Sequence, residues 1–308
     1  MQKYAVGIDI GGTRTKVGLV DIIEGRVLEM MLTPTEKYDA DLFINSLYQQ
    51  YLKISEKASV NQSLIEGIGI GAPGFVYEDG SVDSTFGFLP FMDNHFHLKN
   101  ELEKKFGLPC NVDNDARVVA LGEALFGRGK GYRRVLVVTL GTGLGLGLVA
   151  NRKFETDLPY GHLGGHMTIA DSDIECYCGK KGCLEALVSA TGIINSAAMA
   201  GWAKKNPEIP LLVESIFEAE QQGNELAVNI IAGFLEYLKT GIANFVTLFA
   251  PDIIIIGGGV AKGLNPYLGL ISQRSSVNPF SGYKCEIALS ELDEYSGILG
   301  AAALFNFK

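Results

Sequence analysis

Positive charge is scarce in this chain. Its 26 lysines and arginines face 35 aspartates and glutamates, giving a formal net charge of -9, and no basic run offsets the deficit. The electrostatic footprint of a nucleic-acid binder is therefore missing, and no nucleic-acid partner is expected. Uninterrupted apolar runs are missing as well. The greasiest stretch, Leu226 to Ala250, carries Glu236 and Lys239 and stops at Pro251 and Asp252. Charges inside a bilayer are costly, so this stretch predicts a buried helix and no membrane partner. The start, MQKYAVGIDI, goes directly into strand-like sequence without the basic, apolar and small-residue regions of a secretory signal, so a cytoplasmic location is expected. Two nucleotide motifs are also lacking: GxxxxGK[ST] does not occur, and the glycines after Asp9 do not have the GxGxxG spacing. Cysteines number only five, an odd count that suits no disulfide framework; three of them, Cys176, Cys178 and Cys183, fall within eight residues. In a reducing compartment such crowding favours a metal.

Apolar residues make up 47% and charged residues 20% of the 308 residues, which suits a globular chain of two ordinary domains, each able to bury its own core. Residues 4 to 10, 17 to 20 and 27 to 32 read as a strand meander turning at Gly11 and Gly12, and Leu42 to Ala58 places Phe43, Leu47, Tyr51 and Ile54 at helical spacing. Leu64 to Gly71 returns to strand, His97 to Phe106 to helix closed by Gly107, and Cys110 to Val112 to strand. Asn114 or Asp115 then caps a helix running to about Phe126. GIDIGGTRTKVGLV (7 to 20) is echoed by VVTLGTGLGLGLVA (137 to 150), each a strand, a Gly/Thr turn and a second strand, as two lobes of similar origin would produce. The second lobe reads as mostly helical, with Leu226, Ile230, Phe234, Leu238, Ile242, Phe245 and Phe249 on one face of its central helix. The isoleucines at 253 to 256 form a covered strand, and a helix is expected from Ser296 to Phe305. The expected division is residues 1–125 with 295–308 packing back on them, and 126–294.

Three strands end in glycine-rich turns: Gly11-Gly12-Thr13, Gly141-Thr142-Gly143 and Gly257-Gly258-Gly259. Glycines let backbone amides approach a phosphate closely, and threonine hydroxyls add donors. Asp9, beside the first turn, is placed to hold magnesium directly or through water, and Lys16 to add positive charge. A single such turn would be only a tight turn; three at strand ends with a carboxylate point to a nucleotide. Asp115 is the candidate general base, since phosphoryl transfer to a hydroxyl needs a carboxylate that takes its proton. An N-cap is the alternative role, and both can coexist. His166, Cys176, Cys178 and Cys183 supply the Cys₃His set of a closed, structural zinc site, with Gly179 and Gly182 allowing the chain to wrap one ion.

DIGGTRTKVGL, GAPG, NDA, GTGLG and CYCGKKGCLE, in this order and spacing, resemble the ROK family of sugar kinases and sugar-responsive repressors over essentially the whole chain. The resemblance implies an α/β, two-lobed, actin-like (ribonuclease-H-like) ATPase fold with a zinc-bound loop, with ATP and sugar held between the lobes. It implies an ATP:sugar phosphotransferase acting on a hexose or N-acetylated hexose, with ATP, Mg²⁺ and structural Zn²⁺ as cofactors. It makes Asp115 the base and Asn114 a sugar ligand, turns the second nitrogen of His166 and the carboxylate of Glu185 toward the sugar, and puts Gly71 of GAPG at the substrate. Without it, Glu185 would be a solvated charge at a helix start. A homodimer is compatible with the family.

The pattern also breaks. Family kinases read E-x-G-H at the zinc histidine, where this chain reads Leu163-Gly164-Gly165-His166; the Pro-Asn stretch after GAPG has no counterpart in residues 84 to 91, and Arg117 stands where Asn is usual. His162 or a residue of segment 84 to 97 is expected to replace the lost sugar contact. Leu163 also keeps open a non-catalytic or weakly active sugar-binding regulator. A repressor's helix-turn-helix would precede the first hairpin, and only eight residues precede Asp9.

Overall fold

Alternation of isoleucine and glycine along two strands decides how the first unit is built. The computed structural model describes residues 3–84, 89–154, 161–273 and 282–306. The chain divides into two units, one of Met1–Gly131, Val149–Glu155 and Glu291–Lys308, the other of Tyr132–Leu148 and Thr156–Ser290. In the first unit the meander β1 (Tyr4–Ile10), β2 (Arg14–Asp21) and β3 (Arg26–Pro34) leads to α1 (Ala40–Ala58) and β4 (Ile65–Ala72). A small hairpin, β5 (Phe75–Val76) and β6 (Val82–Asp83), precedes α2 (Leu98–Phe106), β7 (Cys110–Asn114) and α3 (Asp115–Phe126). The sheet order is β3-β2-β1-β4-β7, with β4 parallel to both β1 and β7.

Helix α1 begins where the Asp39 carboxylate accepts the Leu42 amide, and it buries Phe43, Leu47, Tyr51 and Ile54, the face expected from their spacing. That face meets Val6, Ile8 and Ile10 of β1 with Ile68 and Ile70 of β4. The intervening residues point to the opposite side of the sheet and include Gly7 and Gly69. There the last helix, Ser296–Ala302, lies so close that a Cβ on Gly69 would fall 1.7 Å from the Ala301 carbonyl oxygen, and one on Gly300 1.6 Å from that of Val118 in α3. The helix continues as a 3₁₀ turn, Ala303–Phe305.

The second unit starts with β8 (Arg134–Leu140) and β9 (Leu144–Ala150), and β10 (Lys153–Phe154) pairs with the end of β9, which belongs to the first unit. Helices α4 (Leu184–Val188), α5 (Ala190–Met199), α6 (Trp202–Lys205), α7 (Val213–Gln221) and α8 (Glu225–Phe249) follow, then β11 (Ile253–Gly257), α9 (Leu268–Ile271) and β12 (Glu286–Leu289). The order β10-β9-β8-β11-β12 repeats that of the first sheet: a meander of three strands, then two parallel ones. The repeated Gly/Thr hairpin in the sequence is thus the local trace of a repeated topology, and helices make up most of this unit, as its sequence suggests. Ile253 to Ile256 are fully buried, as a strand covered on both faces must be.

Helix α8 is long and apolar enough by length and composition to cross a membrane. It nevertheless buries Phe234, Leu238, Ile242 and Phe245 in the core of the second unit, and Lys239 pairs with Glu236 at 2.7 Å. Leu226, Ile230 and Phe249 are only partly buried; Ala227, Ile231 and Val246 take the deeper places. The stripe is wider than a single row because α8 touches α4, α5 and α7.

The backbone contact at Gly300 leaves no room for a methyl group. Gly300→Ala should cost roughly 1–3 kcal/mol or more, lowering Tm by about 3–10 °C in calorimetry. An unchanged Tm would contradict this packing.

Candidate functional site

Parallel strands end at the same edge of a sheet, and that edge collects the polar residues of the first unit. Asp9 of β1 is level with Gly71 of β4, and Gly71 with Asp113 of β7, so the three form one row. Asn114 closes β7 and caps α3: its side-chain oxygen accepts the amides of Ala116 at 3.0 Å and Arg117 at 3.3 Å, while its nitrogen donates to the Gly74 carbonyl at 3.0 Å. Asp115 is the first residue of α3, and its carboxylate accepts the Ala116 amide at 2.8 Å. Gly71 is what lets α3 start there, because a Cβ on it would fall 2.4 Å from the Val118 side chain and 3.4 Å from the Asp115 Cα. Burial first, and then the negative charge of Asp9, push the Asp115 carboxyl up to about 7. Burial also raises Asp9, against the pull of Lys16. Lys16 lies opposite Asp9 across β1 and β2, its Nζ 3.5 Å from the carboxylate and donating to the Glu294 carbonyl at 3.0 Å. A Cβ on Gly297 would fall 2.5 Å from the Asp9 carboxylate, so the last helix closes over this side chain. The adjoining turn is tied by Gly11 N–H to the Arg14 carbonyl at 3.1 Å and by the Thr35 hydroxyl to the Gly11 carbonyl at 2.7 Å; Gly12 stays partly exposed and Thr13 exposed.

In the second unit two glycine turns share one edge. Gly141, Thr142 and Gly143 follow β8, and Gly257, Gly258 and Gly259 close β11, which runs parallel to β8. A Cβ on Gly258 would sit 2.4 Å from the Leu140 carbonyl oxygen, so the turns abut. Helix α5 fixes the first of them: the Ala190 amide donates to the Gly141 carbonyl, and the Thr191 hydroxyl to that of Thr142, both at 2.8 Å. Glu185 of α4 is 5% exposed, far from a solvated helix-start charge, and accepts the Leu144 amide at 3.0 Å.

His166, Cys176, Cys178 and Cys183 converge, with one ligand atom from each within 4.8 Å of the others. Gly179 (φ 85°) and Gly182 (φ 68°) make the left-handed turns that wrap this loop. Cys178 and Cys183 sulfurs are 3.7 Å apart, and the Cys176 sulfur is 3.5 Å from His166 Nδ1. Zinc bonds of ~2.3 Å to sulfur and ~2.0 Å to nitrogen give tetrahedral edges of about 3.8 Å and 3.5 Å, so this donor set fits that ion. Four protein donors would fill a tetrahedral shell, which suits a structural role.

A sequence profile of the ROK family matches residues 5–308. The chain belongs to the ROK family. It is 32% identical to a glucokinase of Halalkalibacterium halodurans, over 98% of this chain and 94% of that one. The ROK hexokinase of Thermus thermophilus superposes with a TM-score of 0.82 at 28% identity, covering 97% of each chain. A Streptomyces griseus ROK glucokinase solved with glucose and AMPPNP gives 0.81 at 29% identity, covering 98% of each. The fold is accordingly the actin-like α/β fold of ROK sugar kinases, in two units with a Cys/His cluster in the second.

Against that family pattern, Leu163 lies in the 3₁₀ segment Gly161–His166 and is 42% exposed, and His162 sits beside it. Residues 85–88 of segment 84 to 97 lie outside the described residues. Arg117 pairs with Asp113, Nε to Oδ1 at 2.6 Å, and its guanidinium lies 4.6 Å from the Phe154 ring centroid in β10. This fastens the strand-to-helix junction that carries Asn114 and Asp115, a task invisible in sequence until Asp113 and Phe154 are seen beside it. Tyr177, between two of the cysteines, carries no functional signal in the sequence; its hydroxyl lies 3.2 Å from His166 Nε2.

Elemental analysis should find one zinc per chain. Cys178→Ser or exhaustive chelation should remove it and cost more than about 2 kcal/mol of stability. A zinc-free chain of unchanged Tm would contradict the assignment.

Proposed function

We propose that this ROK protein is a kinase that transfers the terminal phosphoryl group of ATP to a hydroxyl of a hexose or N-acetylated hexose. The observation that carries the reading is Asp115: a carboxyl at a strand-to-helix junction, held by the Asn114 cap, with a proton affinity raised to about 7. A base poised near the working pH suits this transfer. The ATP analogue and glucose in the Streptomyces griseus relative support the same reading.

In this reading Asp115 takes the proton of the attacking sugar hydroxyl as its oxygen bonds to the γ-phosphorus; the bond to the bridging oxygen breaks and ADP leaves. Asn114 and Glu185, with His166, bind the sugar, and Gly71 lets Asp115 reach its place. The turns at Gly11-Gly12-Thr13, Gly141-Thr142-Gly143 and Gly257-Gly258-Gly259 bind the nucleotide through backbone amides. Asp9 would hold magnesium, which neutralises phosphate charge when bound, and Lys16 adds positive charge beside it. The zinc ligands organise the loop that carries His166 into α4. Three thiols gathered for one metal also suit a reducing, cytoplasmic setting.

Leu163, in place of the family's glutamate, favours a second reading, a sugar-binding regulator of little turnover. ADP production measured across a panel of hexoses and N-acetylhexosamines separates the two, since ADP release that no sugar stimulates would establish the regulator. For the kinase, Asp115→Asn should lower kcat by roughly 10²–10⁴-fold. Sugar-dependent turnover that survives this change would overturn the assignment of the base.

The pH dependence has a definite sign. The base works deprotonated, so kcat/KM should level off above pH 7 and fall about tenfold per unit below it. A profile flat down to pH 5 would contradict a raised Asp115.

A further inference from the structure

Asn114 has few hydrogen-bonding groups to spare. Its side-chain oxygen accepts the amides of Ala116 and Arg117, which can only donate, so the assignment of oxygen and nitrogen is fixed and both lone pairs are occupied. One hydrogen on its Nδ2 goes to the Gly74 carbonyl. Among the described residues nothing takes the other. A sugar oxygen bound by Asn114 therefore accepts from that single N–H. One bond with one direction depends steeply on how the residue is turned.

The residues on either side set that turn. Asp113 Oδ1 accepts the Asn114 backbone amide at 2.7 Å and Arg117 Nε at 2.6 Å, and Arg117 Nη2 donates to Asp113 Oδ2 at 3.4 Å. Arg117 thus grips Asn114 twice, by its own amide on the side-chain oxygen and by its guanidinium on the carboxylate that holds the Asn114 amide. These bonds close a ring around the end of β7 and the first turn of α3. The Arg117 and Asp113 side chains are only 17% and 19% exposed, and Phe154 of β10 covers the guanidinium. Water competes little for such a pair and the ring restricts its rotamers, so it is stronger and stiffer than an ion pair on open surface. We propose that Asp113 and Arg117 are positioning residues that turn Asn114 so that its one uncommitted N–H meets a sugar oxygen. The proposal rests on the sugar-kinase reading. It gives Arg117, where the family usually has asparagine, a part in sugar binding that needs no contact with the sugar. It also makes the family residue a poor replacement here, because asparagine brings no cation to the Asp113 carboxylate or the Phe154 ring.

Steady-state kinetics on the full chain test this with Arg117→Asn, Asp113→Asn and the double variant. Each single change should raise KM for the best sugar about three- to tenfold, with kcat within about threefold and KM for ATP within about twofold of the parent. The double variant should lie within about twofold of either single one, because the two side chains act as a unit. Phe154→Leu leaves both charges paired and should raise the sugar KM about two- to threefold; it decides the question if a variant of the pair does not fold. An unchanged sugar KM in the folded variants, or single effects that multiply in the double variant, would overturn the role of the pair. A fall in kcat as large as the rise in KM would assign the pair to Asp115 and overturn the link to Asn114. If the parent chain turns over no sugar, the kinase reading fails by itself, and calorimetric sugar affinity takes the place of KM in the same comparison. A parent chain that binds no sugar would overturn both.

Discussion

In the first unit the charge of Asp9 adds to burial in raising the proton affinity of Asp115, and most of the surrounding architecture serves that placement. Strand register sets Asp9 level with Gly71 and Asp113. The Asn114 cap begins α3 at Asp115, and the Lys16 ammonium offsets one of the two charges. A like-charged pair removed from water cannot be fully ionised cheaply. One of the two must hold its proton more tightly, and here it is Asp115, the carboxyl with no cation among the groups that shift it.

That arrangement depends on close backbone packing. Glycines at 69 and 300 let the last helix press onto the sheet and onto α3 at distances no side chain would permit, and Gly297 lets it cover Asp9. Most of the helix is small residues, so contact between backbones adds to the burial of Ile298 and Leu299. In the second unit the same sheet order is used differently. Helices α4 and α5 hold the glycine turn from behind through Glu185, Ala190 and Thr191, and the cysteine loop leads directly into α4.

Much of the fold was legible because its signals are periodic. Phe43, Leu47, Tyr51 and Ile54 lie on the buried face that their spacing demands, and Ile253 to Ile256 form a strand buried on both sides. The repeated hairpin foreshadowed the repeated sheet order. The Cys₃His set was legible because spacing and donor type alone favour one metal. Other features depend on contacts distant in sequence. Nothing local shows that Arg117 pairs with Asp113 and covers Phe154, or that Glu185 is buried against Leu144. Tyr177 reads as a spacer between cysteines until its hydroxyl is seen against His166. Nothing local shows either that the glycines of β1 and β4 are what admits the last helix.

Proton transfer in the proposed reaction turns on the proton affinity of one side chain. Carbon-13 NMR titration of the aspartate carboxyls in the sugar-free protein, with Asp115→Asn to assign the resonance, measures it directly. A midpoint near pH 7 for Asp115 is the predicted result. A midpoint near 4, the ordinary aspartate value, would mean that neither burial nor the neighbouring Asp9 acts on it, and the account would be wrong.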